Sequence, residues 1–227
     1  NLNPTIPVKN PDGTFTSISG TSYENPVEIN TNRTSDNTRH RMLGYGKAEW
    51  EIFTGFKAAL NLSFEHNSMK TDLYKPSYAV MEGVADKGYA QKTLGEYRNL
   101  QLETYYTYEK MISGRHNINL LAGYSYLENM YSGFGAQRRG FDTDLFSFNN
   151  LGSGQDYRLD DVYSYKGAAR LVSFFARANY SYSGKYMVTG TLRRDGSTRF
   201  GKNNKWGLFP SASVAWRISD ERNRRTE

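Results

Sequence analysis

"LRRDGSTRFGKNNKWGLFPSASVAWRIS", Leu192 to Ser219, changes character halfway along. Its first half is crowded with Arg193, Arg194, Asp195, Arg199, Lys202 and Lys205. Its second half alternates: Trp206, Leu208, Pro210, Ala212, Val214 and Trp216 share one parity, while Ser211, Ser213 and Arg217 take the other. A period of two belongs to a β-strand with two unlike faces.

The same period recurs upstream. Phe56, Ala58, Leu60, Leu62 and Phe64 oppose Lys57, Ala59, Asn61, Ser63 and Glu65. Leu100, Leu102, Thr104, Tyr106 and Tyr108 oppose Asn99, Gln101 and Glu103, and Ile118 to Tyr126 repeats the pattern with Leu121 as its exception. Val172 to Tyr182, Tyr186 to Leu192, and Ala48, Trp50 and Ile52 complete about seven strands, with no convincing helix. Tight turns are expected at Phe53-Thr54-Gly55, Ser113-Gly114-Arg115 and Ser183-Gly184-Lys185. Long polar segments, 68–93, 129–167 and 195–205, alternate with them. Sorting connections by length is a property of an outer-membrane barrel, with tight periplasmic turns on one rim and long extracellular loops on the other. Trp206 and Trp216 fit it: ten residues at ~3.3 Å each, tilted by ~40°, project to ~25 Å, the height of the apolar band between two aromatic girdles.

Composition closes other routes. The 227 residues are 15% aromatic, with 18 Tyr and 12 Phe, yet mean hydropathy is −0.73. The aromatics argue against disorder. There is no cysteine for a disulfide or thiolate metal site, and His40, His66 and His116 are too scattered for a ligand set. No run of apolar residues is long enough for a membrane-spanning helix. The net charge of +6 is dispersed rather than striped, which does not favour nucleic acid. Gly196 to Lys202 spells G-x-x-x-x-G-K, but Asn203 replaces the required Ser or Thr and a strand follows in place of a helix. Gly44-Tyr45-Gly46 and Gly133-Phe134-Gly135 lack the third glycine of a dinucleotide fingerprint. Asp142, Asp144, Asp156, Asp160 and Asp161 lack EF-hand spacing and are expected on a solvated loop. No enzyme activity and no cofactor are expected.

The Leu192–Ser219 stretch, with "SFFARANYSYSGKYMVTGT" at Ser173 to Thr191, resembles the barrel of SusC/RagA-type TonB-linked outer-membrane transporters. The N-terminal "NPTIPVKNPDGTF…ENPVEI" resembles the loop before a strand pair in that family. The resemblance implies an all-β, antiparallel transmembrane barrel of about 22 strands with a plugged lumen. This chain would be an internal piece carrying about seven of those strands, without plug or TonB-contacting segment. It implies import of oligosaccharides or peptides alongside a SusD-like surface lipoprotein, and a TonB complex acting through the parent's plug. On this reading residues 1–37 form an extracellular loop segment, 38–219 the transmembrane strands in outer-membrane lipid, and 220–227 a periplasmic tail. Glu49, Glu103, Tyr105, Arg177 and Arg193 are expected to face the lumen, and Arg138, Arg139, Tyr157 and Asp195 to lie on outer loops, as candidate substrate contacts. The alternative is a soluble or surface β-rich carbohydrate-binding or adhesion module, which would dissolve without detergent.

Overall fold

The computed structural model describes residues 5–16, 25–79 and 86–218. Seven strands follow one another in a single sheet in chain order: β1 (Thr34–Phe53), β2 (Phe56–Lys75), β3 (Tyr89–Ile112), β4 (His116–Arg139), β5 (Val162–Tyr182), β6 (Tyr186–Ser197) and β7 (Trp206–Trp216). Neighbours in sequence are neighbours in the sheet, as antiparallel hairpins require.

The tight turns lie where glycine placed them. Ser113 and Gly114, then Ser183 and Gly184, all take positive φ, and the Arg115 and Lys185 amides bond back to the Ile112 and Tyr182 carbonyls. Positive φ at both central positions is the hairpin turn whose twist matches that of the strands. Gly55 has φ +83°, and a β-carbon there would overlap the Glu109 carbonyl. Gly114 has open space around the same atom. Gly55→Ala should therefore lower the yield of folded protein well beyond Gly114→Ala, which pays only the left-handed backbone cost of about 1–2 kcal/mol. Equal yields by heat-modifiable gel mobility would contradict this account.

The strands outrun their alternating cores. β2 continues to Lys75, β3 begins at Tyr89, β4 reaches Arg139 and β5 starts at Val162, so the long connections shrink to 76–88, 140–161 and 198–205. β1 begins at Thr34, inside the segment expected to be a loop, and every residue in it is exposed. Arg39 donates to Asn67, and Thr71 to Asn37, tying this polar strand to β2. The expectation of no helix also needs correction. A short helix, α1, covers Pro26–Asn32; Asn25 Oδ1 caps it by accepting the Val27 and Glu28 amides, and Pro26 supplies its first turn. The tail at 220–227 and Met81 lie outside the described residues.

Two compact units divide the chain. The first, residues 1–41, 67–96 and 131–166, holds the strand ends next to the two longest connections. Its small core is Tyr74, Ala90 and Phe141, with Phe148 and Leu151 packed against it. The second, residues 42–66, 97–130 and 167–227, holds the tight turns and the alternating strand segments.

Candidate functional site

Register in the second unit separates two chemistries. Ala178, Gly190 and Ala212 lie side by side across β5, β6 and β7, flanked by Tyr180, Val188 and Val214 on one side and Ala176, Leu192 and Pro210 on the other. One residue along, the partners are Asn179, Thr189 and Ser213, then Arg177, Thr191 and Ser211. Thr189 Oγ1 donates to Asn179 Oδ1 at 2.9 Å, and Asn179 Nδ2 to Asn119 Oδ1 at 3.3 Å, a polar ladder across three strands. The alternation read from sequence thus becomes an apolar face and a polar face.

The apolar face carries an aromatic cluster at each end. Near the tight turns Trp216 stacks on Tyr186 with centroids 6.3 Å apart, and His116 meets Tyr180 and Tyr182. Ten residues along β7, Trp206 stacks on Phe174 at 6.3 Å, and Phe174 contacts Tyr124 at 5.3 Å. Between them a hollow of about 630 Å³ has small residues in its lining, among them Ala122, Ala176, Ala178 and Gly190.

Five of the candidate contacts share the polar parity of β1, β3, β5 and β6. Glu49 pairs with Lys47 at 3.0 Å on β1, and Glu103 and Tyr105 follow one another on that parity in β3. Arg177 pairs in register with Thr191, and Arg193 with Phe175 and Phe209. Arg193 Nε donates to Asp195 Oδ1 at 2.8 Å and Nη2 to the buried Ser173 hydroxyl at 3.0 Å. Asp195, expected on a loop, lies instead inside β6, opposite Ser173 and Gly207, because β6 keeps its ladder to Ser197. The G-x-x-x-x-G-K stretch accordingly starts within β6 and leads into β7, with no helix to face a phosphate.

Arg138 and Arg139 also belong to a strand, as the last two residues of β4, while Tyr157 lies on the 140–161 connection. The structure brings all three together. Arg139 Nη1 reaches Asp161 Oδ1 at 2.9 Å, Arg138 lies 3.7 Å from Asp161 Oδ2, and the Arg138 guanidinium sits 4.4 Å from the Tyr157 ring centroid. Asp161 also accepts from Gln137 Nε2 and from the Arg158 amide. It is 2% exposed, so the solvated acidic run expected from the sequence contains a buried hub. Asp144 is a second anchor, accepting from the Tyr74 hydroxyl at 2.6 Å and from the Ser77 amide and hydroxyl. Among the described residues no group of acids and histidines is arranged to hold a metal ion.

Burial pushes the Asp161 carboxyl up, but the Arg158 amide, Arg139 and Gln137 outweigh it and hold it below its ordinary 3.8. Burial likewise pushes the Asp144 carboxyl up, but the hydrogen bonds from Tyr74 and Ser77 outweigh it and hold it below its ordinary 3.8. A depressed native pKa gives stability that is present above the ordinary carboxylate value and lost as pH falls through the native one. The 140–161 connection should therefore resist protease at pH 6 and open steadily below about pH 4. A protease profile that stays flat down to pH 2 would contradict this.

One device escaped the sequence. In the first unit Gly133 and Gly135 of β4 lie under the rings of Tyr165 and Tyr163 of β5, so close that a β-carbon would overlap them. In the second unit Gly123 lies under Phe175, and Gly196 under Trp206, whose ring a β-carbon would meet at 2.8 Å. An aromatic ring covering a strand glycine restores the packing the glycine lacks. Gly133-Phe134-Gly135 at alternating spacing opposite Tyr163-Ser164-Tyr165 was the available signal.

With face, turns and register in place, comparison with known proteins is decisive. A family model described as TonB dependent receptor-like, beta-barrel matches residues 5–224. The chain belongs to the TonB-dependent receptor β-barrel family. TonB-dependent receptor P3 of Formosa agariphila is 34% identical over 219 residues, 96% of this chain and 22% of the relative. TonB-dependent receptor SusC of Bacteroides thetaiotaomicron is 46% identical over 66 residues, 29% of this chain and 7% of the relative. The barrel fold is shared with the RagAB peptide importer in its open-open state, with a TM-score of 0.79 at 20% identity, covering 95% of this chain and 24% of that one. These likenesses make it a SusC/RagA-type barrel segment, as its motifs implied. The chain spans about a fifth of the length of the P3 relative it matches.

Proposed function

We propose that this chain is part of the wall of a TonB-dependent outer-membrane transporter that imports oligosaccharides or peptides together with a SusD-like surface lipoprotein. The observation that carries the reading is the apolar face between Trp206 and Trp216, backed by the Asn119–Asn179–Thr189 ladder on the other face. Lipid takes the first face and the aqueous lumen the second. Glu49, Glu103, Tyr105, Arg177, Arg193 and Asp195 then line the lumen. Tyr157, 66% exposed, offers substrate a ring beside Arg138 and Arg139. Energy coupling through a plug and TonB belongs to the full-length receptor. The peptide named for the RagAB importer and the SusC likeness support a two-part importer.

The orientation puts connections 76–88, 140–161 and 198–205 outside the cell and the tight turns in the periplasm. Gly154, on the 140–161 connection, is packed, since a β-carbon there would lie 2.7 Å from Arg138 Cβ. Leu159, 92% exposed, is the better reporter. In the full-length receptor, Leu159→Cys should react with a membrane-impermeant maleimide on intact cells and Arg115→Cys should not. Reversed labelling would refute the orientation. Deletion of the receptor gene should abolish growth on one polymer-derived oligosaccharide or peptide source, and normal growth on all of them would refute nutrient import.

A further inference from the structure

On the polar parity of the first unit, glycine and tyrosine take the place of charge. Tyr163 and Tyr165, two residues apart on β5, lie over Gly135 and Gly133 of β4. The Tyr165 hydroxyl reaches further, to 3.9 Å from where a β-carbon on Gly95 of β3 would stand. With no side chain beneath it, each ring rests on the sheet itself and turns its other face outward. Tyr131 of β4 flanks them, its ring centroid 6.5 Å from that of Tyr165 at an interplanar angle of 43°. The three rings are between 42% and 52% exposed, although two of them cover glycines. Among the described residues their hydroxyls bond to no other side chain. From Tyr89 to Gly95, Tyr131 to Gln137 and Tyr163 to Tyr165 this parity carries no charged side chain. The charges next along, Arg139 on β4 and Asp161 just before β5, pair with each other.

We propose that Tyr131, Tyr163 and Tyr165 form a stacking platform for uncharged pyranose rings, so that this wall of the lumen takes a neutral oligosaccharide in preference to a peptide or a uronate. The proposal rests on the transporter reading above and chooses between its two substrate classes. A pyranose has a face of C–H bonds, slightly positive, that seats on the negative face of an aromatic ring. Its hydroxyls then meet the phenol groups, each both donor and acceptor. Rings already held flat over glycine lose little freedom when a sugar lands on them, which favours binding. A charged peptide or uronate finds no complementary charge on this parity, since Arg139 and Asp161 satisfy one another. Tyrosines that only filled the space over glycine would need no open face. Nor would they need Tyr131, which covers no glycine.

The test uses the full-length receptor in detergent, titrated with laminarihexaose, mannohexaose, hexagalacturonate and hexaalanine. Binding is followed by calorimetry, and contact by saturation-transfer NMR with irradiation of the aromatic protons. At least one neutral hexasaccharide should bind and take up saturation at its ring C–H protons, and the uronate and the peptide should not. Tyr131→Ala/Tyr165→Leu should weaken that binding about tenfold. Tyr163→Phe/Tyr165→Phe keeps both rings and should lose at most about threefold. Should the leucine variant fail to fold, Tyr131→Ala alone, which uncovers no glycine, should still weaken binding about threefold. Tyr78→Ala, exposed on the 76–88 connection, should leave affinity unchanged. Binding of the peptide or the uronate alone, binding of neither neutral sugar, unchanged affinity in the ring-removing variants, or equal loss at Tyr78 would each overturn the platform. Binding of the peptide alone would leave the transporter reading standing. Failure of the wild type to form a heat-modifiable barrel would overturn that reading and the platform with it.

Discussion

Ala212→Arg should destabilise the full-length barrel in lipid by about 2–4 kcal/mol, while Ser213→Arg, one residue away, should cost under about 1 kcal/mol. Ala212 lies midway between the Trp206 and Trp216 clusters, beside Gly190 and, through it, Ala178. Those neighbours are small, so an arginine at 212 has room; what it lacks at lipid mid-depth is water or a counter-ion. At 213 the neighbour is Thr189, which bonds to Asn179, and a guanidinium there joins a polar ladder. Folded fraction against urea, read by heat-modifiable mobility in lipid vesicles, measures both variants. Equal losses would remove support for the face assignment. A larger loss at Ser213 would show the faces exchanged, since a one-residue slip of register swaps them.

Asp161→Ala should have an effect of similar size confined to the first unit. It leaves Arg139, whose side chain is only 11% exposed, without its shortest ion pair, and strips an acceptor from Gln137 and from the Arg158 amide. Removing one partner from such a buried cluster costs roughly 3 kcal/mol. Asp160→Ala, at the exposed neighbour, should cost under about 0.5 kcal/mol. Amide hydrogen exchange over residues 137–161 of the full-length receptor distinguishes them. Asp161→Ala should speed exchange there by about two orders of magnitude and leave β6 and β7 untouched, and matching profiles for the two variants would contradict the hub.

The strands that face two solvents announce themselves, and those that do not stay silent. Phe56 to Phe64 and Trp206 to Trp216 alternate because one side of each is apolar and the other polar, so a period of two is written into the residues. The far half of β2, "HNSMKTDLYK" from His66 to Lys75, has no such contrast. Its ladder is held by main-chain bonds and by pairs such as Asn37 with Thr71, which leave no hydrophobic rhythm. The same holds for Thr34 to Gly46 of β1, whose first four residues fall in the segment expected to be a loop. Parity was enough to put Arg177 and Arg193 on one face. It could not single out Asp161 among five aspartates, because its partner Arg139 lies 22 residues earlier and meets it only across the folded connection. Nor could it show that Arg138 and Tyr157 stack, or that Asp195 continues a strand.

The glycines beneath Tyr163 and Tyr165 bear on how such a sheet is assembled. Two rings two residues apart on β5 meet two glycines two residues apart on β4. Shifting the strands by one residue would turn the rings to the face opposite the glycines. Shifting them by two would leave one ring over a glycine and drive the other against a larger side chain. The pair works as a vernier, seating only at one alignment. During insertion, when polar strands such as these have no buried apolar face to choose between registers, that fit supplies a proofreading step made of shape alone.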